Sequence, residues 1–426
     1  MVERAGDVRE PPAGLGRSDR IGRIGVTNFS IVLGLIALLV ALGAIEGARH
    51  RRHLRRIPFR VHVNGTRGKS SVTRLIAGGL RAGGIAACAK TTGTQAAMIL
   101  PDGSEYPIYR PSAANIIEQV RIVENAAEAG AQVLVVECMA LQPLLQSLSE
   151  LRLIEATHGV ITNVRADHLD VMGPAEEDVA RAFAGAIPVG GVLFTTAARH
   201  WDVLEEASRD RHTRFEHVSG EEVAAVTDSE MRGFSYLEHK ENVALALRVC
   251  DSFGVARDVA LRGMWNAAPD PGVLTVHEMD FFGRRLFFAN GLAANDPEST
   301  GQIWRALVEL LPDVGRRIAL FNCRVDRPDR SRQLGEVCVD WPPADYYVLM
   351  GSGTYILARA ATARGLDVRK LVIAENQDPS EIFETLLDRA GSSALIMGMG
   401  NIHGGGEDLA RLFRNRGRKL DLHTWS

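Results

Sequence analysis

Apolar residues in this chain gather in short unbroken runs rather than in alternation, and several of the runs end in a glycine loop that leads into a helical pattern. Unbroken runs suit strands buried on both faces of a parallel sheet, whereas alternation would suit a half-exposed one. Such runs predict strands near 59–63, 133–137, 159–163 and 191–195, and again at 317–322, 346–351, 370–374 and 394–398. The turn-rich segment Pro269-Asp-Pro-Gly272 divides the two series. The expected fold class is therefore α/β, with a mostly parallel central sheet over 57–270 and a second, Rossmann-like domain over 271–426.

One run breaks this grammar. From Ile24 to Ile45 no residue is charged, and as a helix the stretch would be about 33 Å long, enough for a hydrocarbon core of about 30 Å. It predicts a transmembrane helix over 24–46. The mixed, aperiodic residues 1–23 predict a disordered tail. The arginine cluster Arg49-His-Arg-Arg-His-Leu-Arg-Arg56 is denser than the charge before the helix. By the positive-inside rule it predicts a single-pass protein of the cell membrane with a cytoplasmic catalytic body.

Composition narrows the picture a little. With 426 residues, 46% of them apolar, the chain can build two cores, and a formal charge of −3 gives no reason to expect a nucleic-acid partner. The five cysteines are scattered, with no close pair at metal or redox spacing, and read as reduced and buried.

Chemistry concentrates after the first predicted strand. Asn64-Gly65-Thr66-Arg67-Gly68-Lys69-Ser70-Ser71 is a glycine-bracketed lysine entering a helix. Glycines there let backbone N–H groups approach phosphate, Lys69 adds a point charge, and Ser70 is suited to Mg²⁺. The run 132–137 ends in Glu137, which a parallel sheet would bring to the same edge, as a second metal ligand. His168, between Asp167 and Asp170, follows the next strand and is a candidate ligand for a second ion. Gly398-Met-Gly-Asn-Ile-His-Gly404 imitates a dinucleotide loop, but its last glycine is displaced and no acidic residue follows at the required distance, so NAD is not expected.

The order Gly-Thr-Arg-Gly-Lys-Ser, then Glu137-Cys-Met-Ala140, then Asp167-His-Leu-Asp-Val-Met-Gly-Pro174 resembles the ATP-dependent Mur ligase superfamily. More narrowly, these motifs, with Lys90-Thr-Thr-Gly-Thr94, Asn290-Gly-Leu-Ala-Ala-Asn-Asp-Pro-Glu-Ser-Thr300, Phe321-Asn-Cys-Arg-Val-Asp-Arg327 and Gly400-Asn-Ile-His-Gly404, resemble the ligase subunit of poly-γ-glutamate (capsule) synthase. The resemblance implies an ADP-forming amide ligase that uses ATP and two Mg²⁺ ions, with glutamate and the growing γ-linked chain as substrates. Small membrane subunits of the same synthase would be partners, and a homo-oligomer is compatible. It implies phosphate contacts for Lys69, metal contacts for Ser70, Glu137 and His168, and an adenine contact for Asn242. Two departures stand out: residues 181–187 lack the lysine that most Mur ligases carbamylate, and Val273 follows Pro271-Gly272 where most have arginine. Arg324, Arg327 and Arg330 are the candidates for the missing cation, because a guanidinium fork matches phosphoryl or carboxylate oxygens. Alternative readings are a related ligase for another amino acid, or a membrane-tethered ATPase that switches partners without making a product.

Overall fold

The computed structural model describes residues 17–93, 96–110, 114–236, 238–270, 273–293 and 296–420. It separates into an N-terminal unit, Met1–Arg55, and a body, Arg56–Ser426. The first unit is dominated by helix α1, Arg17–Arg56. Its segment Ile31–Arg56 is long and apolar enough to cross a membrane, by length and composition, and Leu35, Leu39 and Ile45 are exposed along it. The helix outruns the expected 24–46 in both directions. Once the apolar run forms a helix, extension through the arginines and aspartate of 17–23 costs little, because nucleation is the expensive step. Residues 1–16 of the expected tail lie outside the described residues.

The body holds two sheets. In the first, strands β1 (Phe59–Asn64), β2 (Ala87–Thr91), β3 (Ala97–Ile99), β4 (Glu105–Pro107), β5 (Val133–Glu137), β6 (His158–Ile161), β7 (Val192–Thr195) and β8 (Arg214–His217) run in the order β4-β3-β2-β5-β1-β6-β7-β8. From β2 to β8 the pairing is parallel, and β3 and β4 add an antiparallel edge. β5 is buried along its whole length, as an unbroken apolar run requires. β1 lies between β5 and β6, so the chain leaves it toward one side and later returns on the other. Open α/β sheets bind ligands at such a switch point, outside the carboxyl ends of the strands. Helix α2 (Lys69–Ala82) starts there and buries Val72, Leu75, Ile76 and Leu80, and helix α3 (Glu118–Glu128) precedes β5 in the chain.

The second sheet has the order β13-β12-β11-β14-β10-β9-β15, from β9 (Val276–Phe281), β10 (Arg284–Asn290), β11 (Arg316–Cys323), β12 (Tyr346–Gly351), β13 (Leu371–Glu375), β14 (Ser393–Gly400) and β15 (Arg418–Lys419). The strands expected from apolar runs appear within a residue or two of their predicted limits. The β9–β10 hairpin was not among them. Its turn is Phe282-Gly283, both at positive φ, and Phe282 is exposed. A primed turn usually announces itself with Asn or Asp before Gly, and an aromatic in that place hides it. Where the series divide, Val273 packs on the first sheet's core and Leu274 joins the second's, so the position lacking arginine serves as apolar filling at the joint. Pro271 and Gly272 lie outside the described residues.

Candidate active site

The phosphate-type loop is fixed by its own glycines and by hydrogen bonds to the segment after β6. Gly65 and Gly68 have φ of 129° and 79°, and a Cβ on Gly65 would fall 2.1 Å from the Thr162 hydroxyl, so only glycine fits there. A Cβ on Gly68 would fall 2.5 Å from Asn242 Oδ1. Asn242 thus backs the loop from the start of helix α4 (Lys240–Ser252), with its amide held by Glu238 at 2.8 Å. The loop is stitched to the segment after β6. Thr66 N–H donates to the Asn163 carbonyl, Arg67 N–H donates to Asn163 Oδ1, and the Thr162 hydroxyl donates to the Arg67 carbonyl. Asn64 spends its side chain inside the fold, donating to Gln146 and accepting from Gly65 N–H. Asn64 and Thr66 therefore shape the loop, and the N–H groups of Gly65, Thr66 and Arg67 are spent within the fold.

Lys69 Nζ curls back onto the Gly65 and Thr66 carbonyls at 2.6 and 3.1 Å. Burial lowers its pKa, and the nearby Glu137 charge opposes that shift. An ammonium held only by carbonyl dipoles is ready to exchange them for phosphate oxygens. The Ser70 hydroxyl donates to Glu137 Oε2 at 2.8 Å, and Thr92 N–H donates to the same oxygen at 2.6 Å. Glu137 is buried. A hydroxyl next to the lysine in sequence, bonded to a carboxylate at a strand end, is a donor set suited to Mg²⁺ that keeps most of its waters and shares phosphate oxygens. Among the described residues no group of three or more His, Cys, Asp or Glu is placed to hold a metal ion. Sequence reasoning passed over Asp270 as part of a turn. A Cβ on Gly93 would meet both Ser70 Oγ, at 2.5 Å, and Asp270 Oδ2, at 3.0 Å, which places this buried carboxylate near the Ser70–Glu137 pair.

His168 is set apart from that pair. It occupies the left-handed region at φ 48°, with Nε2 3.9 Å from Asp167 Oδ1. Burial depresses its pKa, Asp167 opposes, and Arg327, Arg330 and Arg67 push it further down. Its neighbourhood is thus rich in guanidinium. Arg67, which the sequence offered only as a loop residue, bridges the two sheets' edges: Nε is 2.9 Å from Asp296, and Nη2 is 3.4 Å from Asp167. Asp296 also caps helix α5 (Pro297–Leu310). Arg165 donates to the Ser299 hydroxyl at 3.1 Å across the same junction. Of the expected second-sheet cations, Arg324 is forked onto Asp326 at 2.7 and 2.9 Å, and Arg327 precedes helix α6 (Pro328–Val337) and is exposed. Thr94 of the Lys90–Thr94 motif lies outside the described residues, as do Ala294 and Asn295.

Two family models match the body: the Mur ligase middle domain over 63–242, and the poly-gamma-glutamate synthase CapB C-terminal domain over 276–416. Fold and site together define an ATP-dependent amide ligase of the Mur type. More narrowly, the chain belongs to the CapB family of that class. It is 36% identical to PGA synthase CapB of Bacillus subtilis (strain 168) over 88% of this chain and 94% of that one. It is 35% identical to the capsule biosynthesis protein CapB of Bacillus anthracis, over 91% and 83%. Among solved structures, Escherichia coli FolC in complex with ADP matches with a TM-score of 0.65 at 16% identity, covering 87% of this chain and 93% of that chain. The bifunctional folylpolyglutamate synthase/dihydrofolate synthase of Yersinia pestis, complexed with AMPPNP and Mn, gives 0.63 at 13%, over 86% and 92%. These two likenesses establish the shared fold.

Proposed function

We propose that this chain is the membrane-anchored ligase that extends a γ-linked glutamate polymer, activating a terminal γ-carboxylate with ATP and joining it to the amino group of the next glutamate. The observation that carries the reading is the Ser70–Glu137 pair beside the Lys69 loop, facing a junction that Arg67 spans to Asp296. ATP supplies a phosphoryl group that turns the carboxylate into an acyl phosphate with a good leaving group. The chain's own part is positioning and charge. Lys69 meets the phosphates, Ser70 and Glu137 hold the ion between them, and Asn242 lies behind the loop near the base. His168 is the proposed ligand for a second ion; Asp167 favours an ion there, and the surrounding guanidinium groups oppose it. Arg324 and Arg327 are proposed on the facing loop, with Arg324 available only after it releases Asp326. The Arg67–Asp296 and Arg165–Ser299 links hold the two edges together, which keeps water from an acyl phosphate.

In this reading α1 crosses the cell membrane once, the arginines of 49–56 lie on the cytoplasmic side, and small membrane subunits of a synthase dock on the helix. The test is mass spectrometry of products made by membranes containing the chain, ATP, Mg²⁺ and glutamate. A ladder of γ-linked oligomers, with ADP release that requires the free amino acid, is the expected result. ADP release indifferent to amino acid would leave a nucleotide switch instead.

A further inference from the structure

Arg330 forms no ion pair among the described residues. It is half-buried at the start of α6. Its recorded hydrogen bond goes to a neutral group, Asn401 Oδ1, at 2.5 Å. Of the neighbouring arginines, Arg324 has Asp326, Arg332 has Asp329, Arg67 has Asp296 and Asp167, and Arg327, without an ion pair among the described residues, is exposed to solvent. Desolvating a guanidinium without a counter-charge is costly, so such a group persists where an anion comes to it. Burial, then Arg67, and to a lesser degree Arg327 and Arg324, lower the Arg330 pKa to about 10 against the pull of Asp167, so the junction carries unspent positive charge.

The amide that holds Arg330 is itself fixed. Asn401 Nδ2 donates to the Asn322 carbonyl at 2.9 Å, and Asn322 Nδ2 donates to the Asn401 and His403 carbonyls at 2.6 and 2.9 Å. With one N–H given to the Asn322 carbonyl, the Asn401 amide is oriented with its oxygen toward Arg330. Asn322 and Asn401 sit at the carboxyl ends of the adjacent strands β11 and β14, buried among glycines that leave no room for a larger group. This is a rigid mount for one arginine.

We propose that Arg330, aimed by the Asn401–Asn322 pair, receives a substrate oxyanion at the junction, and so takes the place of the arginine that Val273 lacks. The oxyanion is either the transferred phosphoryl group or the carboxylate of the incoming amino acid. The inference rests on the ligase reading for the identity of the anion, and on the mount and the missing counter-charge for its existence.

The test uses the full chain in detergent and two variants, Arg330→Gln and Asn401→Asp. The second keeps the mount's shape but gives Arg330 an internal anion. Thermal melting is followed with added inorganic phosphate and, separately, added glutamate, at constant ionic strength. One anion should raise the wild-type Tm by mass action, and both variants should lose at least half of that rise. In amino-acid-dependent ADP release, a fall in kcat of about 100-fold with both KM values nearly unchanged identifies the phosphoryl group. A rise in the glutamate KM of about 10-fold or more, with kcat kept, identifies the carboxylate. Equal anion responses in wild type and variants would overturn the proposal, as would losses matched by a lower Tm without added anion. If wild type shows no amino-acid-dependent ADP release, the ligase reading fails, and the melting experiment still decides on Arg330.

Discussion

The carboxyl edges of the two sheets follow one plan and carry opposite chemistry. At the first edge the strand ends offer Glu137 and the phosphate loop, and beneath the loop His62 Nδ1 lies 2.7 Å from Glu150, both side chains nearly inaccessible. At the second edge β10, β11 and β14 end in or beside Asn290, Asn322 and Asn401. The first edge is ionic, as the proposed binding of a polyanion and a cation there requires, and charges that leave water need partners of fixed geometry. The second is built of amides, which orient without competing for charge. The lesson is a division of labour: one edge stores charge in pairs, and the other is built on amides, one of which holds Arg330.

Breaking the ionic edge should do most damage. Lys69→Ala should lower turnover by about 1000-fold or more, since in the proposed reading the lost charge is the one that meets the phosphates and no other lysine lies in the loop. Amide product quantified by mass spectrometry checks this, and the melting temperature should move little because Lys69 bonds only loop carbonyls. Glu150→Gln attacks the same edge from below. It leaves a buried imidazolium without its counter-charge, a loss of about 3–5 kcal/mol read by urea unfolding of the body. The pH dependence sharpens the point. Burial opposes the charged imidazole, but Cys138 and Glu150 outweigh it and raise the His62 pKa to about 10. A raised imidazole pKa stabilises fully below the unfolded value near 6.5 and fades as pH climbs toward 10. Wild type should therefore lose stability over that window, and Glu150→Gln should lose less.

The same contrast explains what the sequence disclosed. The parallel strands were legible because buried β5 and β14 must be apolar throughout, and the loop was legible because only glycine permits Gly65 and Gly68 their conformation. Lys69, Ser70 and Glu137 converge because loop and strand end share an edge, which strand order alone nearly guarantees. What stayed hidden is whatever depends on two distant segments meeting. Arg67 gave no sign of reaching Asp296, 229 positions away by subtraction of their numbers. Asp270 looked like turn chemistry, and Arg324, Arg327 and Arg330 were indistinguishable until the structure forked Arg324 onto Asp326 and set Arg330 on Asn401. Charge alternation in a loop says which residues are cations, and only packing says which are already spent.

Smaller effects probe how the edges share the metal and the anion. Glu137→Gln keeps shape but removes the hard anionic ligand, so the Mg²⁺ concentration for half-maximal activity should rise by about 10-fold, with maximal turnover partly retained at saturating metal. An unchanged Mg²⁺ titration would return Glu137 to a purely structural post for Ser70 and Thr92.

Arg324→Ala is the mildest substitution and the one that most directly compares neighbouring cations. Arg324 and Arg330 lie six positions apart on the same edge, yet Arg324 is one-third exposed and doubly bonded to Asp326. Exposed pairs of this kind contribute about 0–1 kcal/mol, so stability should hardly change. For Arg324 to meet a substrate it must first give up Asp326, which offsets much of what the new contact would add. Turnover of Arg324→Ala should therefore stay within about 5-fold of wild type, about 1 kcal/mol in transition-state binding. The measurement is kcat/KM for ATP and for glutamate beside those of Arg330→Gln. A loss in Arg324→Ala as large as that in Arg330→Gln would mean that the Asp326 fork opens on substrate binding, and that the second edge commits two arginines rather than one.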